Sequence, residues 1–91
     1  MGVNESGRDF AKLAGRIIEF VKTELGIDDE EITVDTPLVT NGLVDSAGLM
    51  RLAAFVERET GTTIPDRDVN VGHFDTVRQI QAYLTRRSGG S

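Results

Sequence analysis

The sequence has no cysteine and no tryptophan, and it holds one histidine and two prolines. Without cysteine, the chain can form neither a disulfide framework nor a thiolate metal site. A cysteine–histidine catalytic pair is excluded for the same reason. A serine–histidine–aspartate site would have to use His73, which follows Gly72 near a predicted turn and is more typical of a surface or packing residue. The composition therefore predicts that the chain is not an enzyme.

Long apolar runs are also missing. No stretch approaches the roughly 20 apolar residues of a membrane-spanning helix, and the first residues lack the basic-then-apolar order of a secretory signal. We therefore expect a cytoplasmic protein with no membrane partner. Basic residues number 10 against 15 acidic ones, and the formal net charge is −5. Because binding to a phosphate backbone needs a basic surface, we expect no nucleic-acid partner either.

A chain of 91 residues is long enough for one domain with a modest core. We expect the folded part to run from about residue 8 to about residue 86. The polar stretch 1–7 and the Ser-Gly-Gly-Ser tail at 88–91 are predicted to be flexible ends. Long strand-like alternation is missing, so the sequence predicts a single all-α domain, which we expect to be a monomer.

Three segments carry apolar residues at three- and four-residue spacing, which predicts three amphipathic helices over about residues 8–25, 45–60 and 75–87. A short helical turn is expected between the second and the last of them. The last helix is expected to be capped by Asp75 or Thr76, with Gln79 completing a capping box. The predicted core residues are Leu13, Ile17, Val21, Leu49, Leu52, Val56, Val77, Ile80 and Leu84.

A long loop, predicted over residues 26–45, joins the first two helices. Thr36-Pro37 disfavours a regular helix there, and Asn41-Gly42 indicates a turn. Loops of this length without regular structure are uncommon in compact domains and usually carry function. The functional residues are therefore expected at this loop.

The loop ends in a short motif, Gly42-Leu43-Val44-Asp45-Ser46, that leads directly into the second helix. Here the sequence resembles the acyl carrier protein superfamily, which includes peptidyl and D-alanyl carrier proteins and shows this pattern before a helix that begins at the serine. The resemblance continues upstream through Thr36-Pro37-Leu38 and downstream through Thr62–Pro65 and Phe74-Asp75-Thr76-Val77. It covers roughly residues 8–86.

The resemblance implies an acyl-carrier-like bundle of three main helices and one short helix, with 4′-phosphopantetheine attached to Ser46. The arm would bring the thiol that the chain lacks, so that an acyl or aminoacyl intermediate is held as a thioester and presented to enzymes of a biosynthetic pathway. The implied partners are a phosphopantetheinyl transferase, a loading enzyme and downstream pathway enzymes. Asp45 is expected to help the transferase recognise the site.

The chemistry of a helix start agrees with that assignment. Backbone N–H groups and the helix dipole favour a phosphate on a serine such as Ser46. Serine and aspartate are also common helix caps, so a purely structural role for Ser46 is the alternative.

Two arcs divide the second helix on a helical wheel. The inward arc holds five apolar residues, Leu49, Leu52, Ala53, Phe55 and Val56. The second arc, closer to Ser46, is predicted to bind partners and holds Ala47, Met50 and Ala54, with Arg51 and Arg58 beside them. The alternative is that these are ordinary exposed residues. Many acyl carriers have an acidic second helix, and the two arginines depart from that pattern. This departure favours a secondary-metabolite pathway over fatty acid synthesis.

Two other functions fit parts of the sequence. Asp66-Arg-Asp68-Val-Asn70 alternates oxygen ligands like a calcium loop, but Val71 and Val77 stand where that loop needs glycine and glutamate, so we expect no metal site. The second alternative is a non-catalytic helical adaptor that docks partners without a prosthetic group. The cargo stays open, because fatty acyl, polyketide, aminoacyl and D-alanyl carriers share the motif.

Overall fold

The computed structural model describes the backbone of residues 2–27 and 31–89 and the side chains of residues 12–27 and 31–87. The helices, in chain order, are α1 (Gly2–Thr23), α2 (Ser46–Thr60), a 3₁₀ helix (Asp66–Asp68), α3 (Val71–Phe74) and α4 (Val77–Gly89). This part of the chain contains no strand, and the predicted all-α bundle with three main helices is confirmed. None of the described helices is both long and apolar enough to cross a membrane.

The predicted start of the first helix is wrong. α1 begins at Gly2 rather than near residue 8, and it ends at Thr23. Residues 2–7 contain no proline, so no residue in this stretch lacks the backbone N–H that a helix needs. Gly26, with φ of 71°, then takes the chain out of the helix in the left-handed conformation that glycine adopts without steric cost. Met1, Gly90 and Ser91 lie outside the described residues, and the flexible ends stay a prediction.

The core lies where α1 packs against both α2 and α4, with α3 packed on α4. Of the predicted core residues, all except Leu13 are buried, and Leu13 is half-buried against the same cluster. Leu38 from the long loop and Phe74 from α3 are fully buried as well. The loop therefore contributes a buried side chain to the core.

Asp75 fixes the long loop to the start of α4. Its backbone carbonyl accepts the Leu38 N–H at 2.6 Å. Its carboxylate Oδ1 accepts the N–H groups of Val39 and Thr40 at 2.9 and 3.0 Å, and Oδ2 accepts the Thr40 hydroxyl at 2.6 Å. One side chain thus satisfies three donors of a loop whose described residues form no helix or strand.

The helix cap beside Asp75 is Thr76. The Thr76 hydroxyl accepts the Gln79 N–H at 3.0 Å, and the Gln79 side-chain oxygen accepts the Thr76 N–H at 3.0 Å. This reciprocal pair is a capping box. Of the two starts predicted for the last helix, Thr76 is therefore the cap, and Asp75 is left to bind the loop.

A second tether joins the loop to α4 through Arg78. Its backbone N–H donates to the Val34 carbonyl at 2.9 Å, and its guanidinium donates to both Asp35 oxygens at 2.5 and 3.1 Å. This hydrogen bond lowers the pKa of Asp35. Because both side chains are exposed, the pair orients the loop more than it stabilises the fold.

The Asp75 contacts predict a pH-dependent stability. Burial acts to raise the pKa of Asp75, but the Thr40 hydroxyl and the N–H groups of Thr40, Val39 and Leu38 outweigh it, so the pKa lies below its usual value. Asp75→Ala should lower the free energy of unfolding at pH 7 by about 1–2 kcal/mol, since it leaves loop donors unpaired.

Asp75→Asn is the matched control, because it keeps one acceptor oxygen and should lose less. A folded-state pKa below the unfolded one stabilises the protein above about pH 4, and this contribution is lost as the pH falls through the folded value. Urea titrations from pH 7 to pH 3 should therefore show wild type losing its advantage over Asp75→Asn. A constant difference between the two across that range would contradict the assignment.

Candidate functional site

The start of α2 is capped by Asp45. Its backbone is extended, with φ of −89° and ψ of −176°, and its Oδ1 accepts the Gly48 N–H at 2.8 Å. Its carbonyl accepts the Leu49 N–H at 2.8 Å. Aspartate in this geometry satisfies a donor that the first turn leaves unpaired. The alternative in which Ser46 is only a helix cap is therefore wrong, since Asp45 fills that role.

Ser46 is the first residue of α2, and it is exposed. Within the described residues, neither its hydroxyl nor the backbone N–H groups of Ser46 and Ala47 have a hydrogen-bond partner. The site thus combines a free hydroxyl with two free donors at the positive end of a 15-residue helix.

Gly48 lets the loop approach this helix start closely. A Cβ added there would lie 3.0 Å from Val44 Cγ1, 3.3 Å from Asp45 Oδ1 and 3.6 Å from Leu25 Cδ1. Glycine in the interior of a helix costs stability relative to alanine, and here the missing side chain is what allows Val44 and the Asp45 cap to fit. A lone glycine inside a helical pattern is the sequence signal for such a close approach.

A groove of about 330 Å³ opens beside Ser46. Its apolar walls come from the two ends of the long connection between α1 and α2, through Leu25, Ile27, Leu43 and Val44. Asp45, Ala47, Gly48 and Arg51 of α2 and its cap complete the lining, together with Gly42. The groove reaches the residues on both sides of Ser46, so a group attached there has an adjoining surface to lie on.

The inward arc of α2 faces the core, as the helical wheel predicted. Leu49, Leu52, Ala53 and Val56 are buried, and half-buried Phe55 stacks on Phe20 with ring centroids 4.4 Å apart.

The predicted partner residues, Ala47, Met50, Arg51 and Ala54, are all exposed, as is Arg58 beside them. Met50 is 45% exposed, and it is one of two large apolar residues that are exposed in the described part of the chain.

Arg51 makes a contact that the sequence did not indicate. Its guanidinium Nη2 donates to the Glu24 carbonyl at 3.2 Å, which ties α2 to the loop that follows α1. The Asp75 contacts with the loop were missed in the same way. In both cases the partner is far away along the chain, and no local pattern marks it.

Two of the three candidate ligands in the calcium-like segment, Asp68 and Asn70, have protein partners. Asp68 Oδ2 accepts the Tyr83 hydroxyl at 2.6 Å and lies 3.7 Å from Arg87 Nη1. Burial, and then this hydrogen bond to Asp68, raise the pKa of Tyr83. Asn70 caps α3 by accepting the Gly72 N–H at 2.9 Å. These contacts assign structural roles to Asp68 and Asn70, and no cluster that could ligate a metal occurs among the described residues.

Comparison with known proteins places this chain in a family. Residues 15–84 match the family model described as phosphopantetheine attachment site. The acyl carrier protein of Syntrophobacter fumaroxidans is 30% identical over 78 residues, which cover 86% of this chain and 94% of that protein. Its counterpart from Rhodococcus erythropolis is 33% identical over 72 residues, covering 79% of this chain and 74% of that protein. The acyl carrier protein of Clostridium perfringens is 26% identical over 73 residues, covering 80% and 93%.

The matched region spans most of the chain and contains the whole of the loop, α2 and α3. An all-helical bundle with an exposed serine at a capped helix start agrees with it. The chain belongs to the acyl carrier protein superfamily, whose members are non-catalytic carriers with a 4′-phosphopantetheine prosthetic group.

Proposed function

We propose that Ser46 is the residue that carries the phosphopantetheine arm, and that the chain holds an acyl or aminoacyl intermediate as a thioester on it. The observation that carries this assignment is the division of roles at the start of α2. Asp45 caps the helix, so the exposed Ser46 hydroxyl has no role in capping it. The arm supplies a thiol, and cysteine is absent from the chain itself.

The surroundings of Ser46 fit a phosphodiester. The free N–H groups of Ser46 and Ala47 point to the end of α2 where the helix dipole favours negative charge. Packing of α2 in the core holds this end at a fixed place, and the adjoining groove accommodates part of an attached chain. The protein thus presents a hydroxyl, while the base and metal of the attachment step come from the transferase, as the family resemblance implies.

Asp45 has a second proposed role in recognition by the transferase. Its Oδ1 is used by the Gly48 N–H, whereas Oδ2 has no hydrogen-bond partner within the described part of the chain. The residue is exposed, so Oδ2 is available to a donor on an enzyme that approaches Ser46. Loss of Asp45 would therefore affect both the cap and the recognition of the serine.

Intact-mass spectrometry tests the assignment directly. The protein is incubated with coenzyme A and a broad-specificity phosphopantetheinyl transferase, and we expect one phosphopantetheine per chain. An adaptor without a prosthetic group would gain no mass under the same conditions, and that result would overturn the proposal.

The pathway is proposed to be secondary-metabolite biosynthesis. The exposed arginines of α2, Arg51 and Arg58, support it, because an acidic second helix is common among acyl carriers. The named relatives are acyl carrier proteins without a stated pathway. The cytoplasmic location and the monomeric state stay predictions.

We further propose that Ala47, Met50 and Ala54 form the surface on which partner enzymes dock, with Arg51 at its edge. The three side chains are exposed on α2, the helix that also presents Ser46. A partner whose active site must reach a group on Ser46 necessarily comes close to this face. We call these three residues the docking strip.

Substitution of Met50 tests the docking strip. Met50→Asp should slow loading or transfer by roughly 10- to 100-fold, because docking would bury an unpaired charge. The thermal melt should stay close to that of wild type, since the side chain is 45% exposed. Met50→Leu is the control and should behave like wild type. Normal kinetics for Met50→Asp would show that the strip makes no contact, and an unfolded variant would place Met50 in the core.

A further inference from the structure

The charged residues of α2 do not contribute equally to its outer surface. Glu59 is paired with Arg16 of α1, with Oε1 at 2.6 Å from the guanidinium Nε, which neutralises it locally. Glu57 is half-buried, and its Oε2 accepts the Ile64 N–H at 2.6 Å. Both acids of α2 are therefore engaged in holding the bundle together.

The two bases of α2 are in the opposite situation. Arg51 and Arg58 are exposed, and neither forms an ion pair with a described carboxylate. They are seven residues apart, so they lie on the same side of the helix, one two turns beyond the other. The bond from Arg51 to the Glu24 carbonyl fixes one of the two positions without cancelling its charge.

These bases lie along one edge of the docking strip. At 100° per residue, the order around α2 is Ser46, Glu57, Met50, Ala54, Ala47, and then Arg58 and Arg51. The acid on the other side of the strip is Glu57, whose Oε2 is bound to the Ile64 N–H, and Asp45 before the helix binds the Gly48 N–H through Oδ1. The whole chain carries a formal charge of −5, so a basic edge beside the docking strip is a local exception to the charge of the molecule.

We propose that the partner enzyme docking on α2 presents an apolar patch to the docking strip and an acidic rim to Arg51 and Arg58. This inference rests on the proposed function, because it assumes that the strip is the docking surface. An acidic rim would pair with the two guanidinium groups, neither of which is in an ion pair with a described carboxylate, while a basic rim would face like charges. Opposite charges at a rim chiefly accelerate association, and salt screens the effect.

The experiment identifies the partner by its contact and then tests the sign of the charge. A benzophenone amino acid replaces Met50 in the cell that produces the protein, and the partner sequence crosslinked on illumination is read by mass spectrometry. The purified partner is then titrated at low and high ionic strength against wild type, Arg51→Glu/Arg58→Glu, and Arg67→Glu/Arg86→Glu. The last variant changes the net charge equally at two exposed arginines outside α2.

We expect aspartate and glutamate to outnumber lysine and arginine around the crosslinked position. Reversal of Arg51 and Arg58 should weaken binding roughly tenfold at low ionic strength and much less at high salt, while the Arg67 and Arg86 control stays within about twofold of wild type. A basic contact surface, tighter or unchanged binding after reversal, equal effects of the two double variants, or no crosslink from position 50 would each overturn the inference.

A separate measurement on wild type distinguishes failure of this inference from failure of the proposed function. Intact mass after incubation with coenzyme A and transferase reports whether Ser46 is modified, and it does not depend on the pathway partner. If wild type gains phosphopantetheine but reversal of Arg51 and Arg58 does not weaken binding, only the inference of an acidic rim on the partner is wrong. If wild type gains nothing, the carrier function itself is wrong.

Discussion

Ser46→Ala should abolish the addition of phosphopantetheine to the chain. The hydroxyl is the atom that would be joined to phosphate, and no neighbouring side chain can replace it, because the residues that flank it are Asp45 and Ala47. Incubation with coenzyme A and transferase, followed by intact mass, should show complete loss of modification. This is the largest effect that any single substitution in the chain is expected to have on function.

The fold should survive that substitution. Asp45 caps α2, and the Ser46 side chain has no hydrogen-bond partner among the described residues, so the free energy of unfolding should change by less than about 0.5 kcal/mol. A helical circular dichroism spectrum and an unchanged urea midpoint check this. The control variants are Ser6→Ala and Ser88→Ala, which should be modified like wild type. Modification that persists in Ser46→Ala, or that maps to either control serine, would contradict the assignment.

The start of α2 was predictable because its determinants are local. Asp45 and Ser46 follow an apolar loop segment, and the apolar spacing that defines the helix begins directly after them. The sequence left open which of the two is the cap. The hydrogen bond from the Gly48 N–H to Asp45 shows that Asp45 is the cap, which leaves the Ser46 hydroxyl free for the attachment proposed above.

The position of the long loop was not predictable in the same way. Asp75 binds Thr40, which is 35 residues away along the chain, and Arg51 binds the carbonyl of Glu24, which is 27 residues away. Nothing in the spacing near these residues identifies their partners, since each contact exists only after the helices have packed. The sequence predicted that Asp75 or Thr76 caps α4, and only packing shows that Asp75 serves the loop instead.

The packing that holds the loop and α2 in place is also open to test. Leu52 is fully buried in α2 within the cluster that joins α1, α2 and α4. Leu52→Ala removes apolar contacts and leaves a cavity, so we expect it to lower the free energy of unfolding by about 2–5 kcal/mol. Domains of this size are stable by only about 5–15 kcal/mol, so this loss is a large share of the total.

Met50→Ala is the matched control, because it truncates a large apolar side chain two residues away on the same helix that is 45% exposed. It should change the free energy of unfolding by less than about 0.5 kcal/mol. Urea denaturation followed by circular dichroism measures both variants. Below its melting temperature Leu52→Ala should still be modified at Ser46, because the hydroxyl and the Asp45 cap remain. An equal effect of the two truncations, or a cost near zero for Leu52→Ala, would show that α2 is not held by this core, and the fixed presentation of Ser46 would then need another cause.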